Sequence, residues 1–194
     1  MTTQQYTEQD VNTLLEKMAL ERGKLIIAAE ALSDDDANRV PVDAVGEEQW
    51  TAKEQLSHLW EMERSYTAWC RAALEQSGAD VTGVRGAPVA IPIEAAPEHT
   101  VRQLLDELIA ERAGTNAFIR SLSLEQFHHT ASTAAFGELT VMQWLRSFYR
   151  HDRQHAAQIE GRQSDYRPSY QSGIEPNQRT MRIEQVARRD ATLE

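Results

Sequence analysis

Four separate segments of this chain repeat their apolar residues every three or four positions, and none alternates them strictly over a useful length, so packed amphipathic helices are the architecture open to it. In the first, Thr7 to Ala31, the stripe is Val11, Leu14, Leu15, Met18, Leu25 and Ile26. The second opens at Thr51, which with Glu54 has the T-x-x-E spacing of a capping box, where side chain and backbone satisfy each other's free donors. Leu56, Leu59, Met62, Tyr66 and Trp69 follow on one broad face, and a stop is expected near Gly78. The third runs from about Thr100 to Ser121, with Val101, Leu104, Leu105, Leu108 and Ile109 turned inward. Thr140 and Gln143 form a capping box that opens the fourth, and its stripe of Val141, Trp144, Leu145, Phe148, Ala156 and Ile159 continues to about Gly161.

The connections are long. An acidic break, "LSDDDANRVPVDAVGEEQW", separates the first two segments. Gly78 to His99 holds three glycines and three prolines and no helical period, with "APVAIPI" its only hint of a short strand; long connections of this kind often border sites. The stretch "LSLEQFHHTASTAAFGE" is also irregular. The expected architecture is therefore all-α: a four-helix bundle with long connections over residues 1–164, then a polar C-terminal tail, 165–194, with one short helix around Thr180 to Arg189.

A length of 194 residues suits one hydrophobic core. Acidic residues outnumber Lys and Arg by 30 to 20, the net charge is −10, and no Lys/Arg-rich run interrupts that balance, which disfavours a nucleic-acid surface. Cys70 is the single cysteine, so no intramolecular disulfide and no C-x-x-C pair can form, and a reducing cytoplasm fits best. The N-terminus lacks the pattern of a signal peptide, and no apolar run approaches the roughly 20 residues of a membrane span. A cytoplasmic protein without a membrane or nucleic-acid partner is expected.

Within the fourth segment, "FYRHDRQHAAQI" sets His151 and His155 four residues apart, so both imidazoles share a helix face, their Cβ atoms about 6 Å apart. That spacing suits one metal ion, and equally suits two histidines facing solvent. A protease of the H-E-x-x-H kind needs a glutamate after the first histidine; Asp152 stands there, in the middle of the apolar stripe, and no third histidine follows. His58 is the more useful partner. It sits at the flank of the apolar face of the second segment, on the side of Gln55, Met62 and Ser65, and an imidazole turned toward a core must be hydrogen-bonded or ligated. His58, His151 and His155 together would supply three neutral nitrogens and leave a position open, the stoichiometry of a catalytic metal. Asp152, if buried, needs a partner: either a ligand histidine such as His58, whose ring it would orient and make more basic, or an arginine of a neighbouring helix. Gln158 and Glu61 are weaker candidates for such a role. His99, His128 and His129 read as cap or loop residues, Cys70 as packing, and Trp60, Trp69, Trp144 and Tyr149 as core that could also line a pocket. Arg85 could meet an anionic substrate or simply be a solvated loop charge.

The pattern "WTAKEQLSHLWEMERSY" from Trp50, followed by "GELTVMQWLRSFYRHDRQHAAQIEG" from Gly137, resembles the DinB-like superfamily of metal-binding four-helix bundles, over roughly Thr7 to Gly161. The resemblance implies that His58, His151 and His155 bind one divalent metal ion, Zn²⁺ or Ni²⁺. Some members of that superfamily are transferases or isomerases dependent on a small thiol such as mycothiol or bacillithiol. It thus implies a low-molecular-weight thiol as co-substrate, a small electrophile as substrate and a homodimer through bundle helices. A non-catalytic stress-response protein with a structural metal, and a metal-dependent hydrolase, are the alternatives. No catalytic residue beyond the metal site is assigned.

Overall fold

The computed structural model describes residues 5–40, 49–166 and 168–172. Four long helices dominate: α1 (Glu8–Glu30), α2 (Ala52–Glu75), α3 (Val101–Ser121) and α4 (Val141–Ile159). Each begins at a threonine. Thr7, Thr51, Thr100 and Thr140 accept a hydrogen bond from the backbone N–H three residues on, and the side chains of Asp10, Glu54, Gln103 and Gln143 return the bond to the cap N–H. A cap of this kind is worth about 1 kcal/mol, so the helix starts are set locally. Among the described residues no helix is long and apolar enough to cross a membrane. The expected helix around Thr180 to Arg189 lies outside the described residues.

The long connection after α2 is pinned to that helix along its length. Trp69 Nε1 donates to Val84 O at 2.9 Å, Gly86 N to Ser65 Oγ at 3.3 Å, Arg64 Nη1 to Pro88 O, and Ser57 Oγ to Ile91 O at 2.7 Å. It therefore runs back along α2, antiparallel to it. Gly86 is required for this contact, because a Cβ there would lie 2.6 Å from Ser65 N. The hinted strand "APVAIPI" does not form; its backbone carbonyls are used by α2, and it leads into a 3₁₀ turn at Ile93–Glu98. The strands lie elsewhere: β1 (Ala79–Asp80) pairs in parallel with β2 (Thr130–Thr133), which pairs antiparallel with β3 (Gly137–Thr140). At two to four residues they are too short to show an alternating pattern, and Gly137, at φ 72°, closes the β2–β3 turn.

The core has two apolar clusters, one around Met18, Trp69, Trp144 and Phe148, the other around Leu25, Leu56, Trp60 and Leu108. They are joined by a buried ion network to which every long helix contributes one charge: Arg22 from α1, Glu63 from α2, Arg112 from α3 and Asp152 from α4. Arg22 donates to both Asp152 oxygens at 3.0 and 3.1 Å and to Glu63 at 2.7 Å. Arg112 donates to both Glu63 oxygens at 2.7 and 3.0 Å and to Asp152 at 3.0 Å. The Nη1 groups of the same two arginines cross-brace α1 and α3, Arg22 Nη1 donating to Leu108 O and Arg112 Nη1 to Met18 O. Arg112 takes the inward place on α3 after Leu108, which leaves Ile109 at the edge of the stripe and 47% exposed rather than inward as expected.

Burial alone would raise the Asp152 carboxyl, but Arg22 and then Arg112 overcome it and hold the pKa below the ordinary carboxylate value. Burial likewise opposes the charge of Arg112, and Asp152 and Glu63 outweigh it. Asp152→Ala, which leaves two buried guanidinium groups sharing the single carboxylate of Glu63, is expected to cost about 3–5 kcal/mol in urea unfolding. Because the folded pKa of Asp152 is depressed, the stability its charge confers is complete above pH ~4, where the unfolded carboxyl ionises, and is lost as pH falls through the folded value. The stability gap between wild type and Asp152→Asn should accordingly be constant above pH ~4 and narrow below it.

Candidate metal centre

His58 is on α2; His151 and His155 lie one turn apart on α4. The structure brings one ring nitrogen of each within 4.8 Å of the other two. The ring centroids are 5.0 Å apart for His58 and His151, 5.5 Å for His58 and His155, and 4.5 Å for His151 and His155. His155 is fully buried, while His58 and His151 are 5% and 8% exposed. The Trp50 ring packs edge-on against His58 at 4.6 Å.

One hydrogen-bond chain fixes the proton on the deepest ring. Gln55 Nε2 donates to Trp50 O at 3.0 Å, and a carbonyl can only accept, so the other face of the amide must be its oxygen. That oxygen, Gln55 Oε1, lies 2.9 Å from His155 Nδ1, which must therefore be the protonated nitrogen. In the neutral ring the lone pair is then on His155 Nε2, which lies 2.9 Å from His151 Nε2. A neutral imidazole with Nδ1–H tied to an acceptor and Nε2 facing two other imidazoles is the donor chemistry that a divalent zinc or nickel ion uses, so the residues present fit such an ion.

The role of orienting a ring thus falls to Gln55, an amide one turn before His58 on the same side of α2. Asp152 does not take it. All its hydrogen bonds go to Arg22 and Arg112, the arginine alternative rather than the histidine one, because two guanidinium groups meet it from α1 and α3. Gln55 was legible as a polar residue on the inward flank of α2, but its partner was not, since nothing in the sequence sets which ring of α4 stands opposite.

His58 and His151 open onto a cavity of about 490 Å³. Its walls come from α2 (Met62, Tyr66, Trp69), from the connection after α2 (Thr82, Arg85) and from the β2–β3 turn. α4 adds Arg150 and Gln154 beside His151, and the chain beyond α4 contributes Tyr166 and the segment Pro168 to Tyr170. Tyr170 stacks on Phe136 with centroids 5.0 Å apart, and Gln171 N donates to Ala135 O at 2.8 Å, so the described part of the tail lies against the bundle. Of the expected pocket aromatics, Trp69 lines the cavity, whereas Trp144 is in the core and Trp60 turns its Nε1 to Glu111 at 3.0 Å. His129 Nδ1 lies 3.0 Å from Ala73 O, and His128 stacks on Tyr6; both are away from the cluster. Cys70 is buried in the core, and that burial pushes its thiol pKa up, which leaves it unreactive.

A helical bundle that gathers three imidazoles from two helices, two of them at the wall of a cavity, is the class of protein that fold and site define. Residues 17–159 match the profile of the DinB superfamily, and the chain belongs to it. The uncharacterized protein YuaE of Bacillus subtilis (strain 168) is 26% identical over 140 residues, covering 66% of this chain and 84% of its own. Among solved structures, YfiT from Bacillus subtilis, a probable metal-dependent hydrolase with an unusual four-helix bundle topology, superposes with a TM-score of 0.61 at 17% identity. That match covers 82% of this chain and 89% of YfiT. The mycothiol-dependent maleylpyruvate isomerase superposes with a TM-score of 0.55 at 15% identity over 77% of this chain and 60% of its own. At those identities the likeness is one of fold.

Gln55→Leu, which removes the acceptor from His155 Nδ1, is expected to weaken Zn²⁺ affinity about 10- to 100-fold in chelator competition while far-UV circular dichroism is unchanged.

Proposed function

We propose that this protein binds one divalent metal ion, Zn²⁺ or Ni²⁺, through His58, His151 and His155, and that it acts as a thiol-dependent transferase on a small electrophile. The observation that carries the reading is the exposure of His58 and His151 to the cavity with His155 buried behind them. A purely structural metal is held in a closed site; here a molecule in the cavity reaches two of the three rings. Metal-assisted hydrolysis has less support, since no Asp or Glu is among the described lining residues and the nearby carboxylates of Asp152 and Glu63 are consumed by arginines.

When bound, the ion would supply Lewis acidity, which lowers the pKa of a small thiol and favours its thiolate. The protein's own residues do the rest. Gln55 fixes the His155 tautomer, and the ion network sets α2 against α4 next to the rings, since Asp152 directly follows His151 and Glu63 lies five residues beyond His58. Tyr66, Trp69 and Phe136 give the cavity an apolar side on which an organic substrate can rest and from which it displaces water.

Tag-free protein prepared without added nickel should contain one equivalent of metal, lost in His58→Ala. The metal-loaded protein should consume an activated electrophile only when a thiol such as mycothiol or bacillithiol is present, and His151→Ala should reduce this to background with the fold retained. Turnover with water alone would transfer the reading to hydrolysis. No turnover, together with a large fall in melting temperature on chelation, would leave a structural metal.

A further inference from the structure

The described lining of the cavity carries a charge opposite to that of the chain. The protein has a net charge of −10, yet the charged side chains among the described lining residues, other than the histidines, are two arginines, Arg85 and Arg150. They come from different elements. Arg85 sits on the connection after α2, between two anchored neighbours: Val84 O accepts from Trp69, and Gly86 packs on the α2 backbone. Arg150 precedes His151 on α4 and lies over the rings of Tyr149 and Tyr166 at 5.8 and 5.7 Å. Neither makes an ion pair with a carboxylate of the described residues, whereas Arg64, close by on α2, holds Glu111 at 2.7 Å. In a chain with 30 acidic residues, two guanidinium groups left facing one cavity form a local positive site.

We infer that this cavity takes a small organic oxyanion, with its anionic head on Arg85 and Arg150 and an apolar body against Tyr66, Trp69 and Phe136. The guanidinium fork matches carboxylate and phosphonate oxygens with paired hydrogen bonds, and cation–π contacts of Arg150 with two tyrosines, together with its hydrogen bond to the Tyr166 side chain, hold that fork in place. The aromatic side wall selects the rest of the molecule, and a body placed there extends toward His151, which lines the same cavity. The inference deepens the functional reading above by naming the chemical class of the substrate, and it rests on that reading only for the claim that the bound molecule is turned over.

The test is calorimetric titration of the full chain, metal-loaded and chelator-treated, with benzoate, phenylphosphonate and the neutral benzamide. A hydrogen-bonded charge contact of this kind corresponds to roughly tenfold or more in affinity, so at least one anion should exceed benzamide by that factor in the metal-free protein. The excess should fall severalfold in Arg85→Gln and in Arg150→Gln and be largely kept in Arg150→Lys. Which anion is preferred separates a carboxylate from a phosphonate head. Equal affinity of all three probes, or a loss in the arginine variants that benzamide shares equally, overturns the inference. So does anion binding that vanishes on chelation and ignores both arginines, a result that would support the metal site while removing this one. A charge preference that persists in protein unable to bind metal would support the arginine site although the metal reading had failed.

Discussion

The buried network of Arg22, Glu63, Arg112 and Asp152 constrains the rest of this structure, because each of the four long helices places one charge in it and none of the four can be satisfied alone. Charges removed from water recover their lost hydration only through close partners, so the network exists only when all four helices are in register. An apolar core tolerates small slips of one helix along another; two guanidinium forks holding two carboxylates do not. Such a network adds little net stability over a packed apolar core of the same volume, and its effect here is better described as fixing one arrangement among several.

That arrangement is what the histidines depend on. Asp152 lies between His151 and His155 on α4, and Glu63 is on the helix that carries His58, so the ion pairs that align these helices also align the rings. Beyond the bundle, segments with no helical period complete the site. The connection after α2 is tied to the helix by Ser57, Ser65 and Trp69, and it delivers Arg85 to the cavity rim. The described part of the tail closes another side through Tyr166 and Tyr170. The chemistry-bearing rings thus stand on rigid helices, and the walls that a substrate meets come from loops, where change is tolerated most easily.

The parts of the fold legible in advance were those with local causes. Thr51 with Glu54 and Thr140 with Gln143 mark helix starts because capping involves only residues three apart, and the apolar stripes follow from the 3.6-residue turn. Ile109 was misplaced because its neighbour in the stripe, Arg112, is a charge that goes inward only when Glu63 and Asp152 are there to receive it. The small sheet escaped for a related reason. Its longest strands have four residues, and β1 pairs with β2 across some fifty residues of chain, so its existence is a matter of what lies alongside.

By itself, the sequence determined four amphipathic helices, the capping boxes that open the second and fourth, and the presence of His58, His151 and His155 on those two, since helix period and capping are properties of neighbouring residues. Only the tertiary structure decided that Asp152 belongs to the arginines, that Gln55 holds His155, and that Arg85 and Arg150 face one cavity. Each of these is a choice of partner for a polar group, made when the group leaves water, and the partner lies on an element far away along the chain.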